Sequence, residues 1–360
     1  MADLTQVLTE AVKRGASDIH IVAGKPPILR INGQITPMDG LPPLEKEDTR
    51  NMIYSVLYED QRARFEKNWE LDCSLAVPNV SRFRVNVYNQ LKGVGAVLRV
   101  IPSKIPTPNE IGLMPSVAKL AELPRGLVLV TGPTGSGKST TLACLIELIN
   151  QTQRKTILTV EDPIEFVYED KQSIILQREV GQQTKSFGNA LKHAVRQDPD
   201  VILVGEMRDL ETISLAITAA ETGHLCFGTL HTQDAPTSID RMIDVFPPNQ
   251  QQQVRIQVST VLQAVVTQTL MPRKDGKGRV ASREVMIGTP AVGNIIREGK
   301  THMLYGAIES GAKFGMISMD QHHAFLVKQG LISLEDALAK AHDAAGLKNL
   351  LSMGNPPAAQ

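Results

Sequence analysis

Apolar residues recur along this chain with changing period, and the change divides it. Asp3–Lys13 carries them at helical spacing and predicts a helix. Asp18–Val22 predicts a strand. Ile28–Ile31 and Gln34–Thr36 flank Asn32-Gly33, a pair that favours a primed two-residue turn, so they predict a hairpin. Leu44–Glu66 is helical in period. Ser81–Tyr88 alternates cleanly and predicts a half-buried strand, and Gly95–Ile101 predicts another. Residues 1–100 thus read as a small α+β domain. The proline-rich stretch Pro102–Pro108 reads as a stiff linker spanning 101–109.

Beyond the linker the alternation gives way to short apolar runs. These are Leu127–Thr131, Thr156–Val160, Val201–Val204 and Leu225–Leu230, separated by helical sequence. Strands without a polar face belong to a parallel sheet covered on both sides, so residues 110–270 predict an α/β domain. Between the strands, Ser186–Arg196 predicts a helix stopped by Asp198-Pro199, and a second helix runs from Asp209 as N-cap to Gly223 just past its end. Asn249 caps a predicted long helix over Gln250–Leu270. Residues 271–348 predict a hairpin, with a Gly-bearing turn at Asp275–Gly278, then mainly helix to Lys348; 349–360 predict a disordered tail, most clearly Gly354–Gln360.

Composition changes this picture little. The 360 residues suffice for two or three domains, and 42% hydrophobic with 21% charged is ordinary for a water-soluble chain. Lys+Arg 38 balances Asp+Glu 38, so bulk charge gives no reason to expect a nucleic-acid partner. No apolar run reaches the length of a membrane span and no signal-peptide pattern opens the chain, which predicts a cytoplasmic protein. Cys73, Cys144 and Cys226 are far apart and fit reduced structural thiols.

The chemistry begins where the first buried strand ends. Leu127–Thr131 runs into Gly132-Pro133-Thr134-Gly135-Ser136-Gly137-Lys138-Ser139-Thr140 and then into helical sequence. That is the strand–loop–helix setting of a phosphate-binding loop. Glycines let the backbone approach phosphate oxygens, and N–H groups of the loop and helix start bind anions. Lys138 would neutralise β- and γ-phosphates, and the Ser139 hydroxyl would ligate Mg²⁺. ATP and Mg²⁺ are the expected ligands.

Ligands of a parallel sheet sit at the carboxyl ends of its strands, which selects further residues. Glu161 ends the second strand; a carboxylate there can orient and polarise a water beside a γ-phosphate, with Glu165 as the less favoured alternative. Glu206 follows the third strand after an inserted Gly205, where an acid commonly holds Mg²⁺ through water. His231 follows the fourth strand and can donate to a γ-phosphate. Asp200 and His224 stand at the opposite ends of their strands and read as structural, and His322-His323 read as surface residues of a helix. Arg82, Arg84 and Asn86 alternate along one strand face. An arginine there, or Arg99, supplied in trans by another subunit, could neutralise charge in the transition state; Arg196 and Arg208 could do so in cis.

These residues together resemble the secretion ATPases of the type II/type IV pilus superfamily, and most of all its pilus-retraction branch. The resemblance rests on the Walker A box Gly132–Thr140, the aspartate box Ile157–Phe166, the Walker B region Asp198–Asp209 and the histidine box Thr222–Thr232. Asn294-Ile295-Ile296-Arg297-Glu298 matches the branch's C-terminal retraction motif; Val292-Gly293 departs from it where isoleucine-arginine is usual. The resemblance implies a PAS-like N-terminal domain, a RecA-like ATPase domain with a helical C-terminal extension, and a homohexamer that powers pilus retraction and twitching motility. It also implies N-domain arginines reaching the phosphates and docking on an inner-membrane pilus platform protein at the cytoplasmic face. The alternatives are an accessory retraction paralogue, an extension ATPase, a nucleotide-gated scaffold and a RecA-like nucleic-acid motor.

Overall fold

The computed structural model describes residues 3–31, 33–102 and 104–352. The turn expected at Asn32-Gly33 and the tail Gly354–Gln360 lie outside the described residues, wholly or in part. The chain forms two compact units. One ends at Lys104 and includes Glu165–Val167; the other begins at Ile105.

The first unit is a six-stranded antiparallel sheet with helices. In chain order it comprises α1 (Leu4–Lys13), β1 (Asp18–Ile21), β2 (Ile28–Ile31), β3 (Gln34–Pro37), α2 (Lys46–Ser55), α3 (Glu59–Asn68), β4 (Glu70–Val77), β5 (Ser81–Gln90) and β6 (Gly93–Ile101). The strand order is β3-β2-β1-β6-β5-β4. Alternation in β5 decides its faces: Phe83, Val85 and Val87 are buried, in a core with Leu4, Leu8, Ile53 and Phe65 of the helices. The single helix expected over Leu44–Glu66 is instead two. Leu57 is buried between them, and the Gln61 side chain accepts the Tyr58 N–H at 3.0 Å, starting a new helix. β4 was not anticipated.

The second unit continues with α4 (Pro115–Ala118), β7 (Gly126–Thr131), α5 (Lys138–Thr152), β8 (Thr156–Glu161), β9 (Ile174–Glu179), α6 (Phe187–Ala194), β10 (Val201–Val204), α7 (Leu210–Glu221) and β11 (Leu225–Leu230). Then follow α8 (Ala235–Asp244), α9 (Pro248–Val261), β12 (Leu262–Pro272), β13 (Arg279–Ile287), α10 (Pro290–Arg297), α11 (Leu304–Ser310), α12 (Met319–Lys328), α13 (Leu334–Ala339) and α14 (Ala344–Ser352). Its sheet has the order β13-β12-β7-β11-β10-β8-β9, parallel except for the β12–β13 pair. Every residue of β7, β10 and β11 is buried, because α6–α9 cover one face and α4 and α5 the other. Asp209 caps α7 by accepting the Thr212 N–H at 2.9 Å.

Two expectations fail here. The helix expected over Gln250–Leu270 stops at Val261, with Pro247 rather than Asn249 at its cap, and Leu262–Pro272 becomes β12. A strand whose two faces are both covered by packed layers loses the period-2 signal, so its apolar run looks helical. His322 and His323 are 4% and 0% exposed, not surface residues. α12 is covered by its neighbours: the Arg283 N–H of β13 donates to His322 Nδ1 at 2.8 Å, and α14 also packs against the helix.

Candidate active site

Parallel register puts the carboxyl ends of four strands along one sheet edge. Val204 of β10 pairs with Val160 of β8 and Gly228 of β11, and Leu230 of β11 pairs with Thr131 of β7. The residues that follow, Gly132, Glu161, Glu206 and His231, therefore emerge side by side. Gly205 is what lets Glu206 follow so closely. A Cβ on it would stand 3.0 Å from the Val160 carbonyl oxygen and 3.1 Å from Glu161 Cα.

The loop between β7 and α5 turns through left-handed backbone at Gly132, Gly135 and Gly137. It lies against β12 so closely that a Cβ on Gly132 would meet the Gln268 carbonyl oxygen at 2.2 Å. The buried Gln268 side chain fixes the loop. Its Nε2 donates to Ser136 O at 2.7 Å, and its Oε1 accepts from Thr141 Oγ1 at 2.8 Å. Sequence reasoning missed Gln268 because it put β12 in a helix; a lone amide in a β-branched run was the available signal. Lys138 Nζ donates to Gly132 O at 2.7 Å and to Pro133 O at 3.1 Å, folding over the loop. Pro133 and Thr134 are exposed, and Ser139 and Thr140 are half-buried in the first turn of α5. The open loop, the helix amino terminus and the ammonium make a cradle whose donors suit phosphate.

Glu161 is 9% exposed. Its Oε1 accepts from Thr159 Oγ1 at 2.7 Å and from Gln177 Nε2 of β9 at 3.3 Å. Glu206 Oε1 receives His231 Nε2 at 2.9 Å and also the Arg208 guanidinium. Partial burial would raise this carboxyl's pKa, but the hydrogen bond and charge of Arg208, with those of His231, hold it below the ordinary value. Glu206, Arg208 and His231 line a cleft of about 620 Å³ with Thr134 of the loop, Thr232, and Arg241 of α8. Arg241 was not singled out from sequence, although α8 follows directly on the histidine turn.

Other candidates stand elsewhere. Arg196 precedes β10 and so lies at that strand's amino end. Asp200 Oδ2 accepts the Thr156 N–H at 2.9 Å, and His224 Nδ1 lies 2.9 Å from Ala219 O; both are structural. Glu165 belongs to the first unit, as do Arg82, Arg84 and Arg99. There Arg30, Asp18, Arg99 and Arg84 stand opposite one another across β2, β1, β6 and β5. Arg99 Nε donates to Asp18 at 2.9 Å, and Arg82 Nη2 donates to Ser74 Oγ at 2.9 Å. No group of three or more His, Cys, Asp or Glu with metal-holding geometry occurs among the described residues. One Mg²⁺ ligated by Ser139, with Glu206 acting through water, is still compatible with the donors present.

A phosphate cradle at the carboxyl edge of a parallel sheet defines a P-loop nucleotide-binding protein. The model of the Type II/IV secretion system protein family matches residues 1–310, and the chain belongs to that family. It is 52% identical over 339 residues to the "Type IV pilus retractation ATPase PilT" of Pseudomonas aeruginosa, covering 94% of this chain and 98% of that protein. It is 41% identical to the "Type IV pilus ATPase PilU" of the same organism, covering 98% and 92%. Among solved structures, the crystal structure of the pilus retraction motor PilT with bound ADP superposes with TM-score 0.91 at 48% identity, covering 97% of this chain and 100% of that one. The fold is accordingly a PAS-like α+β unit followed by a RecA-like P-loop unit with a helical C-terminal extension.

Proposed function

We propose that this chain is an ATP-hydrolysing motor that powers type IV pilus retraction. The observation that carries the reading is the convergence of Gly132–Ser139, Glu161, Glu206 and His231 on one edge of the second sheet. The higher identity to PilT than to PilU favours retraction motor over accessory paralogue. ATP binds with its phosphates on the loop, where Lys138 and the first-turn N–H groups of α5 offset their charge. Ser139 and, through water, Glu206 would hold Mg²⁺, which would supply further charge neutralisation. Glu161, held by Thr159 and Gln177, accepts the proton of the attacking water. The water oxygen bonds to the γ-phosphorus as the bond to the β–γ bridging oxygen breaks, giving ADP and phosphate. His231 donates to the γ-phosphate.

The working form is a homohexamer in which Arg82, Arg84 or Arg99 of a neighbouring subunit reaches the phosphates. The motor is cytoplasmic and reaches the inner membrane through a pilus platform protein; among the described residues no helix is long and apolar enough to cross a membrane. Nucleic acid plays no part. Arg297 and Glu298 are exposed while Ile296 is fully buried, as a coupling surface on a packed helix requires. The test is steady-state ATP turnover by the purified protein together with twitching of a strain in which it replaces the resident retraction motor. Turnover without twitching assigns a scaffold or accessory role, and absence of turnover sinks the motor reading. Arg297→Ala/Glu298→Ala should keep turnover within a few-fold and abolish twitching.

A further inference from the structure

A chain of hydroxyls runs behind the cleft, from the base of the phosphate loop to the histidine turn. Thr131, the last residue of β7 before Gly132, is fully buried, and its Oγ1 lies 2.8 Å from Thr267 Oγ1 on β12. Ser238 of α8, also fully buried, places its Oγ 3.4 Å from Thr131 Oγ1 and 2.6 Å from Thr232 Oγ1, and donates to Asp234 O at 2.6 Å. Thr232 directly follows His231. The same turn is gripped a second time. Glu284, which faces Thr267 in the β12–β13 ladder, accepts the Ala235 N–H at 2.8 Å.

Burying a hydroxyl is costly unless it is bonded, and Val or Ala would fill these positions at similar volume. What hydroxyls add is direction and distance. β7 carries the loop and α8 follows the histidine turn, and the Ser238 hydroxyl reaches both, at Thr131 and at Thr232. We propose that Ser238 is a positioning residue: through Thr131 and Thr232 it fixes the His231 turn relative to the phosphate loop, so that His231 meets the γ-phosphate in register. The inference rests on the ATPase reading given above.

The experiment is kinetic, on the full-length protein, with ATP as the varied ligand. Ser238→Ala should lower kcat about tenfold, the worth of one well-placed hydrogen bond, with KM for ATP changed less than about twofold. Combined with His231→Ala it should cost nothing further, because Ser238 acts through that imidazole. Thr131→Val, which preserves shape, should behave like Ser238→Ala, and Thr131→Ser should restore turnover; this pair decides the question if Ser238→Ala does not fold. Wild-type kcat in Ser238→Ala, or losses that multiply in the double variant, overturn the inference. A His231→Ala enzyme with normal turnover removes both the role of His231 and this inference. A wild-type protein without turnover removes the ATPase reading first.

Discussion

The two units present polar residues in opposite ways. In the first, arginines lie across the face of an antiparallel sheet, held by cross-strand partners: Asp18 takes Arg99, and Ser74 takes Arg82. In the second, polar groups gather at the edge of a parallel sheet, each delivered by a different strand from a distant part of the sequence. A face offers a broad charged surface without depth, suited to meeting something brought to it. An edge offers converging donors around one point, suited to chemistry. This contrast underlies the proposal that binding and bond breaking fall to the second unit and charge supplied in trans to the first.

The sharpest way to break that assignment is at the edge. Lys138→Ala should abolish ATP turnover, and normal turnover in that variant would remove the loop from the mechanism. Glu161→Gln should retain ATP binding while slowing hydrolysis about 10²–10⁴-fold in a single-turnover assay. At the face, Arg84→Ala and Arg99→Ala should each slow turnover about 10–100-fold, the worth of a charged hydrogen bond. Mixing either with Glu161→Gln subunits should recover activity if the arginine acts in trans; failure to recover would place it in cis. Glu206→Gln should raise the Mg²⁺ concentration for half-maximal rate by a few-fold. A lower maximum with unchanged Mg²⁺ dependence would exchange its role with that of Glu161.

The smallest effects concern two buried titrating groups on neighbouring positions of the fold. Burial, then the charge of Arg283, pushes the His322 imidazole down to about 3. Its stabilisation is present above the unfolded value and is lost as pH falls below about 6.5. Burial pushes the Glu284 carboxyl up to about 7, so its contribution is present below about 4.5 and is lost as pH rises through 7. Between pH 7 and 5 the two oppose each other, each by about 2 kcal/mol. His322→Gln should therefore gain stability on acidification and Glu284→Gln should lose it, by denaturant unfolding at both pH values. Equal slopes in the two variants would refute this reading.

Legibility in the sequence followed the same division. Alternation exposed the β5 arginines, and the G-x-x-x-x-G-K-S pattern with three apolar runs exposed the cradle, Glu161, Glu206 and His231. Gln268, Arg241 and Ser238 were not legible. Their placement depends on β12 lying beside β7 and on α8 turning back over it, and a strand buried on both faces carries no period to announce itself. His322 and His323 misled for a related reason: adjacent helix positions face different ways, and only tertiary packing covers both.

The placement of β12 has a mechanical consequence. It lies between β7, which bears the phosphate loop, and β13, whose last residue Ile287 is separated by two residues from the start of α10 at Pro290. The phosphate loop and the exposed end of α10 are thus connected through two hydrogen-bonded ladders, β7–β12 and β12–β13. In the motor proposed above, this path would carry movement of the phosphate loop to α10.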